Sequence, residues 1–150
     1  MTSKQFFRIL AAAAAGAVIV AQFFQPEIPA PPQPKPGAGY DAVVSDARVK
    51  AILVRSCADC HSNDTVWPWY SHISPVSHMV ANDVVRGRRQ LNFSTVTSLS
   101  DDQMGEIHDA VNFGDMPPKA YTFMHPEAKL SPADATLLKQ WALGELPSQN

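Results

Sequence analysis

Apolar positions along the chain fall into three regimes. From Phe6 to Phe24 they are nearly continuous: Ile9–Ala21 carries no charge, and Lys4 and Arg8 stand before it. Between Gln25 and Gly39 the pattern breaks on Pro26, Pro29, Pro31, Pro32, Pro34 and Pro36. From Tyr40 onward apolar residues recur at three- and four-residue spacing, the period of amphipathic helices, and no run alternates as a half-buried strand does.

Four helices follow from that spacing and its punctuation. Ser45 caps a first one that presents Val49, Ile52 and Leu53 on one face and delivers Cys57 a turn later. Ser74-Pro75, a cap followed by proline at the first helical position, opens a second with Val76, Val80 and Val84 on a stripe. Ser100-Asp101-Asp102-Gln103 is a capping box ahead of Met104, Ile107 and Val111, and Gly114 stops that helix. Ser131-Pro132-Ala133-Asp134 repeats the logic for a last helix carrying Leu138, Trp141 and Ala142, stopped by Gly144. Joined by long loops, these predict one all-α domain over 40–150.

The segment ahead of that domain is of a different kind. Phe6–Phe24, at about 1.5 Å per residue, is roughly 28 Å long as a helix, against a bilayer core of about 30 Å. A secretory signal shares the charged start and apolar run but ends in small residues. Here the run ends Val20-Ala21-Gln22-Phe23-Phe24, with Ile19 where a small residue is wanted. This favours an uncleaved anchor over 1–24; the alternative is a cleaved signal that leaves a soluble periplasmic protein. Lys4 and Arg8 keep the N-terminus cytoplasmic in either case, so the expected location is the inner membrane, single-pass, with the domain facing the periplasm. Residues 25–39 read as an extended polyproline tether, which at about 3.1 Å per residue reaches roughly 45 Å.

Composition narrows the class. The 150 residues are 45% hydrophobic and 17% charged, which excludes a disordered tail, and the net charge of −2 provides no footprint for nucleic acid. The two cysteines exclude a disulfide framework, so the domain holds together by packing or by something bound at those sulfurs.

They lie in Cys57-Ala58-Asp59-Cys60-His61. Two thiols at this spacing can each add across a vinyl group on one edge of a haem, and the adjacent imidazole then lies under the iron as proximal ligand. Cys57 and Cys60 are therefore the candidate attachment points for one covalent haem c per chain, and His61 the proximal ligand. A thioredoxin-like pair would need a strand and a βαβ framework, and zinc a second pair of ligands; the sequence shows neither. For the distal position Met116 stands out: it follows Gly114 and precedes Pro117-Pro118, which stiffen the loop. Met124, His125 and His78 are its rivals. Met104 and His108 read as a core methionine and a surface histidine of the third helix, and His72 as a loop residue. Trp67, Trp69, Tyr70, Phe93, Tyr121 and Phe123 read as core and as walls of the haem pocket, and Arg86-Gly87-Arg88-Arg89 as a solvated helix end, with a haem propionate contact or a docking patch for an acidic redox partner as the alternatives.

The order of parts resembles the single-haem class I cytochromes c: leading helix, Cys57–His61, loops, Met116-Pro117-Pro118, then a capped helix with Trp141. More narrowly, the chain is similar to the small membrane-anchored proteins of the haem-binding domain family. The resembling stretches are Cys57–Asn63, Trp67-Pro68-Trp69-Tyr70-Ser71, Pro75-Val76-Ser77, Gly87-Arg88, Leu91-Asn92-Phe93-Ser94, Met116-Pro117-Pro118 and His125-Pro126-Glu127-Ala128. One departure is His78, where the family pattern tends to carry tryptophan. The resemblance implies an exported, class I cytochrome c-like haem domain and supplies no reaction. The function expected is one-electron transfer with a redox partner protein, an electron carrier rather than an enzyme. A haem-based sensor or gas-binding module and a small haem peroxidase are the alternatives.

Overall fold

The computed structural model describes residues 2–146. Among these the regular elements are all helical: α1 Ser3–Ala21, α2 Tyr40–Val43, α3 Ala47–Ser56, α4 Ala58–His61, α5 Val76–Gln90, α6 Asp101–Asn112, α7 Lys119–Met124 and α8 Pro132–Ala142, with 3-10 turns at Trp69–His72 and Pro126–Ala128. The four expected helices are α3, α5, α6 and α8, and the all-α expectation holds. The loops between them are shorter than expected, because α2, α4 and α7 and the two 3-10 turns take up part of them.

Helix ends show where side-chain chemistry sets the boundary. Capping boxes close α6 (Ser100 with Gln103) and α8 (Ser131 with Asp134), and Gly114 and Gly144 follow those helices with φ of 72° and 71°. The cap of α3 is Asp46, not Ser45. Asp46 has extended backbone angles and its carboxylate accepts from Arg48 N–H at 2.8 Å; Ser45 sits one residue too early. At α5 the helix begins at Val76, one residue later than expected. Pro75 occupies the cap position with no side-chain bond, and Ser74 Oγ pairs with Ser77 Oγ at 3.2 Å.

The core gathers Val49, Ile52 and Leu53 of α3, Leu138, Trp141 and Ala142 of α8, and Val44 and Phe93 from connecting segments. Tyr40 stacks on Phe93 at 4.9 Å, and Met104, Ile107 and Val111 of α6 pack against this cluster. The buried face of α5 is Ser77, Ala81, Val84 and Gly87, so of the expected valine stripe only Val84 is buried. Small residues are needed there because α4 and the Trp69–His72 turn pack closely on α5.

Helix α1 buries no residue and has a mean hydropathy of 1.5, long and apolar enough to cross a membrane. Residues 25–39 carry no helix, as the prolines require, yet they lie along the domain rather than away from it. Asn63 Nδ2 donates to the Pro32 carbonyl at 2.9 Å, Gly39 N–H to Val96 at 3.0 Å, and Gln25–Pro31 wall a groove with Trp67, Ser71, His72 and Arg88.

Candidate functional site

Cys57 ends α3 and opens α4, so a single turn carries Cys57, Cys60 and His61. The His61 N–H donates to the Cys57 carbonyl at 2.9 Å, and the His61 carbonyl accepts from Phe93 N–H at 2.8 Å. Its ring Nδ1 donates to the Leu91 carbonyl at 3.0 Å. A ring nitrogen that donates to a carbonyl carries the proton, so in the neutral imidazole Nε2 keeps its lone pair. Burial lowers the His61 pKa and favours that neutral form. The two thiols are free; burial pushes Cys57 up to about 12 and Cys60 up to about 11.

Two adjoining cavities, of about 250 Å³ and about 760 Å³, share Cys57, His61, Gln90 and Met116 as walls. The smaller adds Cys60, Gly87, Pro117, Pro118 and Tyr121; the larger adds the apolar Leu53, Leu91, Phe93 and Leu138. Met116 is held from behind, where its N–H and that of Asp115 both donate to the Ala110 carbonyl at the end of α6.

The turn is fastened on its outer side too. Asp59 Oδ1 accepts from Val66 N–H at 3.0 Å, Oδ2 accepts from Tyr121 O–H at 2.7 Å, and its carbonyl accepts from Thr65 Oγ1 at 2.6 Å. Tyr121 stacks on His125 at 4.6 Å; both burial and the Asp59 carboxylate raise its pKa. Arg88 is half-buried, with Nε donating to the Ser62 carbonyl and Nη2 to Thr65 Oγ1, both at 2.9 Å, so it is not part of a solvated helix end.

Of the sequence candidates, Cys57, Cys60, His61 and Met116 come together around these cavities. Met124 is exposed, and neither it, His125 nor His78 lines either one. His125 Nε2 accepts from Tyr70 O–H at 2.6 Å while Nδ1 faces Glu127 at 3.1 Å, and His78 Nδ1 lies near the Ser74 and Ser77 hydroxyls. Met104 packs against the core. Of the aromatics, Phe93 is in the core and Tyr121 at the cavity, but Trp69 and Phe123 are exposed. Among the described residues no three His, Cys, Asp or Glu side chains converge as a bare metal ion would require.

A family model described as a haem-binding domain matches residues 16–143. The chain belongs to the haem-binding domain family. No curated protein and no solved structure matches it. The match starts inside α1 and so takes in residues 25–39, in keeping with their contacts along the haem-binding domain. The residues present suit the cofactor: an imidazole held in its neutral form, two thiols and a thioether line the smaller cavity, and these are ligand types that haem iron and its attachment chemistry use.

Three features of this haem-binding domain escape the periodicity of the sequence. Gly87 is buried against the turn: a Cβ there would lie 2.4 Å from the Cys60 carbonyl oxygen. The Asp59–Tyr121 bond spans segments far apart in the chain. Asn63, Asn92 and Ser94 form a polar clasp behind His61, with Asn92 Nδ2 donating to Asn63 Oδ1 at 2.8 Å and Asn63 N–H to Ser94 Oγ at 2.9 Å. In the sequence Gly87, Asp59, Asn63, Asn92 and Ser94 are signalled only by the family resemblance, whose stretches include them, whereas Tyr121 lies outside those stretches and reads only as an aromatic of the core or pocket.

Proposed function

We propose that this protein is a membrane-anchored c-type cytochrome that passes single electrons in the periplasm. Cys57 and Cys60 hold one haem through thioether bonds, His61 is the proximal ligand and Met116 the distal one. The observation that carries the reading is the convergence of Cys57, His61 and Met116 on the walls shared by both cavities, with the His61 ring fixed by Leu91. Bound there, a haem supplies a one-electron couple between ferric and ferrous iron. The chain's own contributions are positional. Leu91 keeps the proton on Nδ1, which leaves the lone pair of the neutral ring on Nε2, a contact of the kind that orients ligating histidines. Leu53, Phe93 and Leu138 form the apolar side of the larger cavity, which favours the less charged ferrous state, while Asp101, Asp102, Glu106, Asp109 and Asp115 on its other walls favour the ferric one.

Thioether attachment survives denaturation. The purified protein is therefore expected to keep its haem on a denaturing gel, and Cys57→Ala combined with Cys60→Ala to lose that staining and leave a poorly folded domain. Quantitative extraction of haem from the wild type by acidified acetone would overturn the covalent assignment.

A further inference from the structure

The segment Thr65–Asn82 contains no Asp, Glu, Lys or Arg. Yet it is largely at the surface: Trp69 is 72% exposed, Met79 59%, and Ile73 and Val76 are exposed as well. An apolar surface without charges of its own is unusual on a domain surrounded by water, where charges are the ordinary covering; the nearest fixed charges along the chain are Asp64 and Asp83, at the two ends of the stretch. Val76 and Met79 lie one turn apart on α5, and Ile73 and Trp69 come from the turn that precedes it.

This surface is fastened to the end of α1. The Gln22 side chain makes two bonds to one backbone residue: Nε2 donates to the Ser74 carbonyl and Oε1 accepts from Ser74 N–H, both at 3.1 Å. Ser74 is the neighbour of Ile73 and lies at the start of α5. Phe23 and Phe24, both exposed, follow Gln22 immediately. The polypeptide then returns along the domain through the groove of Trp67, Ser71 and His72. The place where an apolar helix would leave a bilayer and the uncharged surface of the domain are thus one place.

From this we infer that the haem-binding domain rests on the lipid surface, with Trp69, Ile73, Val76 and Met79 seated in the headgroup region beside Phe23 and Phe24. Tryptophan favours that depth, where an apolar ring meets a hydrated boundary. Seating the patch there removes apolar area from water, and the stretch holds no side chain of fixed charge that would have to be desolvated. The inference rests on α1 spanning the membrane, and its test separates the two.

The full-length holoprotein is reconstituted in lipid nanodiscs with photoreactive benzoylphenylalanine in place of Leu10, Met79 or Phe113, one position at a time. Lipid adducts are then read by mass spectrometry. Leu10 reports the α1 span. Phe113 is as exposed as Trp69, at 72%, but lies among Asp109 and Asp115. Lipid adducts are expected at positions 10 and 79 and are expected to be lost at 113. Adducts at 10 without any at 79 overturn the seated domain and leave the anchor standing. Equal adducts at 79 and 113 overturn it as well, by showing contact without a preferred face. No adduct at 10 removes the spanning helix, and the inference falls with it.

Discussion

Asp59 lies between the two cysteines of Cys57–His61, and each of its three oxygens accepts a hydrogen bond. Through Tyr121 it joins the Cys57–His61 turn to the segment that follows Met116-Pro117-Pro118, while Ala110 holds the other side of that loop. Met116 is therefore restrained from both directions, although 37% of it is exposed. Restraint matters for a thioether, a weak donor that competes with water and with other ligands only if little ordering is lost on binding. Met116→Ala is expected to abolish the weak far-red band of ferric iron–thioether coordination and to open the iron to added imidazole, with the covalent haem retained. Optical spectra of both oxidation states provide the check. An unchanged spectrum in Met116→Ala, with a changed one in His78→Ala or His125→Ala, would transfer the distal role to a histidine.

Helix α4 packs on α5 at Gly87, and here the element, not the single residue, sets the outcome. In an isolated helix, alanine is favoured over glycine by about 1 kcal/mol. At position 87 the added Cβ meets the Cys60 carbonyl at 2.4 Å, and that backbone is held by the turn that carries His61. Gly87→Ala is thus expected to reverse the usual sign and to destabilise the domain by about 1–3 kcal/mol, the range of overpacked cores. Denaturant unfolding of the holoprotein measures it; a more stable variant would show that α4 and α5 can separate at no cost. The contrast with α6 and α8 shows what a sequence can reveal about elements. Capping boxes such as Ser100–Gln103 are local, encoded within four residues, and are legible from the residue order alone. The face of α5 is not, because valines predict burial by their hydropathy while Ser77, Ala81 and Gly87 are buried for their size. Size requirements come from the neighbouring element and leave no periodic trace of their own. The site divides the same way: Cys57, Cys60 and His61 are contiguous and readable, whereas Asp59–Tyr121 and Asn63–Asn92 depend on tertiary approach.

Across the whole molecule, acid response follows from carboxyl groups held below their ordinary range. The hydrogen bond from the Arg48 guanidinium holds Asp46 at about 2; the Ser131 N–H lowers Asp134, and backbone N–H bonding lowers Glu127, with His125 assisting. A folded-state pKa below the unfolded one contributes stability that is present above the unfolded value and lost as pH falls through the folded value. These carboxyl groups are therefore expected to lower the melting temperature as pH falls from about pH 4.5 to about pH 2, following an earlier decline below about pH 6.5, where the unfolded chain takes up a proton that buried His61 resists. Helical circular dichroism followed through thermal melts across that range checks it; a level melting temperature down to about pH 2 would mean these groups titrate alike in both states. The proline segment runs along the domain from Pro32 against Asn63 to Gly39 against Val96, so the reach that fifteen extended residues would permit is largely taken up. A loosely tethered domain sweeps a hemisphere and meets partners arriving from the bulk. With α1 in a bilayer, a domain strapped close searches in two dimensions instead, and its encounter rate is set by lateral diffusion and by the surface density of whatever shares its membrane.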